Sequence, residues 1–188
     1  MANRNTQGFG LIPAGTLGQT PATSGQGKYK IDAGYGTTIY QNGAVASSAG
    51  YIIDGQTTDA PILGVLNGIF YNAATTLKPT FANFYKQPIT PANSEDIDAF
   101  VFDNPQQQYV VAIDAALAQS GYLETYDMNA SAGSDSTGRS TSTLDHDDTS
   151  ADAASFRLLR SAEDPENDDN GAFRSVVVCI NLIELQSY

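Results

Sequence analysis

The chain has few of the residues that build reactive or metal-bound sites. In 188 residues it has one cysteine, one histidine, two methionines and no tryptophan. A single cysteine excludes an internal disulfide framework and a cysteine-rich zinc site. A single histidine leaves no HExxH pair, so no metal and no cofactor are expected. Basic residues are also scarce. Nine Lys and Arg stand against 21 Asp and Glu, for a net charge of −12 and a pI of about 4.1. Nucleic acid is an unsuitable partner for such a chain, because Lys and Arg must replace the counterions of the phosphates. No run of about 18 apolar residues is present, so no membrane span is expected. The opening Met-Ala-Asn-Arg-Asn-Thr-Gln-Gly lacks an apolar core, so no secretory signal is expected either.

The chain does have enough apolar residues, 41%, to close a core. At this length one domain, or one domain with an arm, is the default, and roughly 70% of the unfolded surface can be buried. Charge and glycine are unevenly spread. Residues 1–90 carry five basic and three acidic groups, a net of +2; residues 91–188 carry four and eighteen, a net of −14. Thirteen of the 17 glycines lie in residues 1–68. The first 27 residues are rich in Gly and Pro, and their large apolar side chains are Phe9, Leu11, Ile12 and Leu17. Such a segment buries too little surface to fold alone. It reads as an extended N-terminal arm, able to reach roughly 90 Å at about 3.3 Å per residue. Its expected role is to lie on another surface, with Phe9, Leu11, Ile12, Pro13 and Leu17 as anchors.

Residues 28–188 read as a single all-β domain, a barrel or sandwich of short antiparallel strands. Strands are expected at Lys28–Asp32, Thr37–Gln41, Tyr51–Ile53, Ile62–Leu66, Ile69–Tyr71, Ile97–Phe102, Gln108–Asp114, Gly121–Asp127, Ser155–Arg160 and Phe173–Leu185. Asn42-Gly43, Asp54-Gly55 and Asn67-Gly68 are turn signals, and Asn67-Gly68 between two apolar runs predicts a hairpin. The last strand is apolar on both faces in its middle, which predicts a central position. Asp114–Gln119 allows one helical turn. Residues 129–153 predict a long acidic surface loop, with a short strand near Ser142–Asp145.

Chemistry is hard to find. His146 lies among aspartates in a polar stretch, and Cys179 sits mid-strand as a small hydrophobe. Asp145–Asp148 lacks the spacing and glycine of a calcium loop. Asp96, Asp98 and Asp103 flank an apolar strand, but no tryptophan platform for a sugar accompanies them. Gly34-Tyr35-Gly36 lacks the third glycine and helix of a phosphate loop. Asn129-Ala130-Ser131 is a glycosylation sequon that means little without a secretory signal. No enzyme activity is expected.

One set of motifs does point to a family. Gly8-Phe9-Gly10-Leu11-Ile12-Pro13 is followed by Tyr29-Lys30-Ile31, Thr38-Ile39-Tyr40-Gln41-Asn42-Gly43-Ala44-Val45 and Ala60-Pro61-Ile62-Leu63-Gly64-Val65. Thr137-Gly138-Arg139-Ser140, Leu144-Asp145, Arg157-Leu158-Leu159 and Val176-Val177-Val178-Cys179-Ile180-Asn181 come later. In this order the motifs resemble the head decoration, or capsid cement, proteins of tailed bacteriophages, and the resemblance covers most of the chain. It implies a virion structural protein on the outer surface of the capsid, with the major capsid protein as partner. It also implies a homo-oligomer, a trimer at threefold positions ahead of a dimer at twofold ones. The Gly/Pro-rich arm is then expected to anchor on the capsid and the acidic half to face solvent. Deletion of residues 1–27 is expected to leave a folded domain that no longer attaches. The alternative is a β-rich tail-associated or receptor-binding module.

Overall fold

The computed structural model describes residues 5–18, 25–56, 61–129, 133–147, 154–165, 171–181 and 183–186. These residues form an all-β architecture of two sheets with two apolar cores, the barrel core also taking Ala44, Val65 and Phe102 from the second sheet, and only short 3-10 turns as helical elements.

The first sheet is a nearly closed barrel. It contains β1 (Ile12–Thr16), β8 (Gln107–Ile113), β9 (Thr125–Tyr126), β10 (Met128–Asn129), β11 (Thr143–Leu144), β12 (Phe156–Ser161) and β13 (Arg174–Ile180). Its order is β10-β11-β8-β13-β12-β9, with β1 also pairing β8. The two end strands, β9 and β10, are consecutive in the chain and separated only by Asp127, so the order returns on itself. Asp127 fastens this closure. Its carbonyl accepts the Asp145 N–H at 3.0 Å, and its carboxylate accepts the Ser155 N–H at 2.8 Å. All seven residues of β13 are buried between β8 and β12, as the two-faced apolar pattern predicts. Tyr109, Val111, Leu158, Val176 and Val178 fill the barrel. Arg174 caps the end of that row: it is 2% exposed, donates to the Leu117 carbonyl and the Tyr122 hydroxyl, and stacks 5.5 Å from the Tyr122 ring.

The second sheet runs β2 (Gly27–Ile31), β7 (Ile97–Phe102), β5 (Gly64–Asn72), β3 (Ala44–Ser48) and β4 (Tyr51–Asp54), with β6 (Pro79–Ala82) also pairing β5. In β7, Ile97, Ala99 and Val101 point into the core while Asp98 and Phe100 face outward. β7 and β8 are consecutive but belong to different sheets. The Tyr109 hydroxyl, donating to the Phe102 carbonyl at 3.0 Å, ties them together.

Several expectations need correction. Asn67-Gly68 makes no hairpin; β5 runs through it as one strand, with a register shift against β7 between Leu66 and Gly68. A bulge takes up the geometry a turn would have used, and the Gln41 side chain donates to the Asn67 carbonyl at 3.0 Å there. The tight hairpin lies instead between β3 and β4, where Ala49 and Gly50 both have positive φ. Thr37–Gln41 forms no regular strand, only isolated bridges through Ile39 and Gln41. Asp114–Gln119 is not a helical turn; the 3-10 turn falls at Gln119–Gly121. β11 sits where the short strand near Ser142–Asp145 was expected. Residues 130–132 and 148–153 of the acidic loop, and Glu166–Asn170 of the later acidic cluster, lie outside the described residues.

Candidate functional site

The N-terminal motif is built into the domain. β1 pairs antiparallel with the first half of β8, from Ile12 opposite Val110 to Thr16 opposite Gln107. A boundary after residue 27 therefore does not describe the fold, because residues 12–16 are a strand of the barrel. Of the five expected anchors, Leu11 is completely buried in the barrel core. Phe9, Pro13 and Leu17 are half-buried, and Ile12 is 39% exposed. Deleting residues 1–27 would remove a core leucine and bare an edge of β8. Leu11 faces the chain's own core because the strand alternation that turns Ile12 outward turns its neighbour inward.

The motifs that carry the family resemblance meet at one junction between the sheets. The Gly10 N–H donates to the Ser142 carbonyl at 3.2 Å, and the Leu11 N–H donates to the Asn42 carbonyl at 2.8 Å. The Gln41 N–H donates to Gly138 at 2.9 Å, and the Ser140 N–H returns to Gln41 at 2.8 Å. Residues 8–11 thus thread between the Gln41-Asn42 turn and the Gly138–Ser142 segment. Two glycines make the passage possible. A side chain on Gly8 would meet the carbonyls of Thr141 and Ser142, and Gly10 has φ +72 with the Asn42 carbonyl against it. A buried polar group completes the junction: the Ser140 and Ser142 hydroxyls both donate to the side-chain amide oxygen Oε1 of Gln56. Beside it the Tyr40 and Phe84 rings stack at 5.6 Å, and the Tyr40 hydroxyl and Lys86 both bind the Asp135 carboxylate. Those contacts hold the Asp135 carboxyl below its ordinary range.

The reactive candidates remain apart. Cys179 is buried in β13, and burial pushes its thiol up, away from reactivity. His146 contacts Asp147 at 3.1 Å, while its backbone N–H donates to the Asp114 carboxylate. Asp103 accepts the Tyr29 hydroxyl at 2.7 Å; burial first, then that bond, pushes the phenol up to about 12. Asp96 accepts the Tyr51 hydroxyl, and Asp98 is held by two lysines, so these aspartates serve separate local contacts. Among the described residues no group of three or more His, Cys, Asp or Glu is placed to hold a metal ion.

The outward face of the second sheet is a feature the sequence reading missed. Across β6, β5 and β7 it presents Phe81, Phe70 and Phe100, with Phe81 65% exposed. The Phe81 and Phe100 rings lie 5.8 Å apart, and Gly68 lies beneath the Phe81 ring. On β2, Lys28 and Lys30 flank the rings and share Asp98, at 2.7 and 2.5 Å. The available signal was phase: in Ile97-Asp98-Ala99-Phe100-Val101, Phe100 shares the polar phase with Asp98, which marks an aromatic turned outward. No protein-family model, curated protein or solved structure matches the chain.

Proposed function

We propose that this chain is a virion structural protein that decorates and stabilises the outer surface of a tailed-phage capsid by binding the major capsid protein. The observation that carries the reading is the convergence at the junction. Gly8–Leu11, Gln41–Asn42 and Gly138–Ser140, far apart in sequence, carry the resemblance to the decoration family and bond one another directly. Residues that must meet for the fold to close form a more specific signature than the same short motifs scattered at random. The family's role is carried over to this chain by analogy of motif. The distribution of charge supports the same reading. Lys28, Lys30 and the exposed Phe81 ring lie on strands of the second sheet, whereas much of the negative charge lies in the back half, suited to solvent, where like charge keeps particles apart. Repeated modest contacts over a symmetric shell stabilise it by mass action.

Co-sedimentation with purified capsid shells that lack the chain tests this. The protein should pellet with the shells and raise their disruption temperature. Protein that stays in the supernatant at saturating shell concentration would sink the proposal. A tail-associated module would instead attach in few copies at the tail.

A further inference from the structure

We infer that the hollow between the turn at residues 32–36 and the β3–β4 hairpin binds the guanidinium of an arginine side chain presented by a partner protein. The inference is independent of the surface on which the chain itself sits.

The hollow measures about 350 Å³, and Asp32, Tyr35, Tyr51 and Ile53 are among the residues that line it. Gly34-Tyr35-Gly36, too short a motif for a phosphate loop, makes one wall. Its turn is locked in place. The Tyr35 N–H donates to the Asp32 carbonyl at 3.0 Å, and the Gly34 N–H donates to the Asp32 carboxylate at 2.6 Å. The Tyr35 hydroxyl oxygen accepts the Asp54 N–H at 2.8 Å. The Tyr35 carbonyl accepts the hydroxyl of Tyr85, a fully buried residue. β4 makes the other wall. Ile52 is buried in the core of the second sheet, so strand alternation turns Tyr51 and Ile53 outward, into the hollow. The Tyr51 hydroxyl donates to the Asp96 carboxylate at 3.3 Å. Both tyrosines are therefore held before a ligand arrives, which lowers the ordering cost of binding.

The charge around the hollow is negative. Among the described residues Asp32 is the one charged side chain in its lining. The Asp96 carboxylate stands behind Tyr51. Asp96 first, then burial, their hydrogen bond and Asp32 push the Tyr51 phenol up, so two carboxylates act on one ring. Lys30 lines a neighbouring hollow with Glu95, Asp96 and Asp98, and pairs with Asp98 at 2.5 Å. Lys28 shares the same Asp98. These two lysines against Asp32, Glu95, Asp96 and Asp98 leave the region with two net negative charges.

Ring and charge select the ligand together. Tyrosine rings beside carboxylates attract a cation, through the negative face of each ring and through opposite charge. An anion such as phosphate is repelled. A guanidinium suits the site better than an ammonium, because it is planar, stacks on aromatic rings and is more weakly hydrated. Charge of opposite sign on the partner also speeds encounter with a chain of net charge −12.

Nuclear magnetic resonance titration of the full chain with N-acetylarginine amide tests this. Saturable shifts should concentrate at residues 32–36 and 48–53. N-acetylcitrulline amide keeps the shape of the probe without its charge and should give no shifts there. N-acetyllysine amide should bind more weakly than the arginine probe. Asp32→Asn keeps an oxygen for the Gly34 N–H and removes the charge, and Tyr51→Thr removes a ring from a strand position. Each should weaken binding about two- to fivefold, the size of an exposed cation–π contact or ion pair. Tyr51→Phe keeps the ring and should retain binding. Asp32→Asn alone decides the matter if Tyr51→Thr does not fold. Shifts absent from these residues would overturn the proposal. So would citrulline or lysine probes that bind as tightly as arginine, or an Asp32→Asn variant with wild-type affinity.

Discussion

The Leu11 N–H donates to the Asn42 carbonyl at 2.8 Å, while the Leu11 side chain is wholly buried in the barrel core. One residue thereby pins the N-terminal segment through its backbone to the turn that leads into β3 and through its side chain to the barrel core. Leu11→Ala should destabilise the domain by about 2–5 kcal/mol, the usual range for a buried leucine. Chemical denaturation should show a lower midpoint with an unchanged slope. A variant as stable as wild type would place the N-terminal segment outside the folded unit.

Gly10 tests the threading between the loops. Its φ of +72 and the nearby Asn42 carbonyl leave no room for a side chain. Gly10→Ala should cost at least about 1–2 kcal/mol from the left-handed backbone alone, and the steric clash adds to that. Gly50 also has positive φ, but nothing lies near its missing side chain. Gly50→Ala should therefore cost less than Gly10→Ala in the same thermal melts.

Asp127 tests the closure of the barrel. Replacing it with Ala strands the Ser155 N–H that its carboxylate accepts at 2.8 Å. The expected loss is about 1–3 kcal/mol, the cost of an unsatisfied buried donor. Hydrogen exchange should show the amides of β9 and β12 losing protection before those of β8 and β13.

Much of this organisation was legible in the sequence. β7 falls on the expected Ile97–Phe102, where a short β-branched and aromatic run carries its one polar residue, Asp98, in the outward phase. β13 was legible as a central strand because both its faces are apolar. The Asn67-Gly68 signal failed because a glycine that relieves crowding beneath the Phe81 ring looks the same in sequence as one that turns a chain. The N-terminal segment was misread for a related reason. Its composition cannot support independent folding, yet β8 offers an edge that completes it, and local composition carries no record of a partner strand nearly a hundred residues away. The Phe81 face went unnoticed because its three rings come from three strands, and only register brings them together.

Acid titration reports on Asp98. Burial pushes its carboxyl up, but hydrogen bonds from Lys28 and Lys30 outweigh this and hold it below the ordinary range. The folded value is thus lower than the unfolded one, about 3.9. Its contribution to stability is complete above that value and is lost as the pH falls through the folded one. Asp54 runs the other way: burial raises its carboxyl, so acid relieves a cost in the fold. Comparing wild type with Asp98→Asn cancels Asp54. The gap in stability should be full at neutral pH and shrink below about pH 4. A gap that stays constant into acid would show that the two lysine contacts contribute nothing.

The central claim is that this two-sheet protein sits on the outside of a phage capsid. An electron-microscopy reconstruction of a purified virion containing the chain tests it most directly. The account predicts density for both β cores repeated at symmetric positions over the outer capsid surface. Density confined to the tail or to the inside of the shell would contradict it.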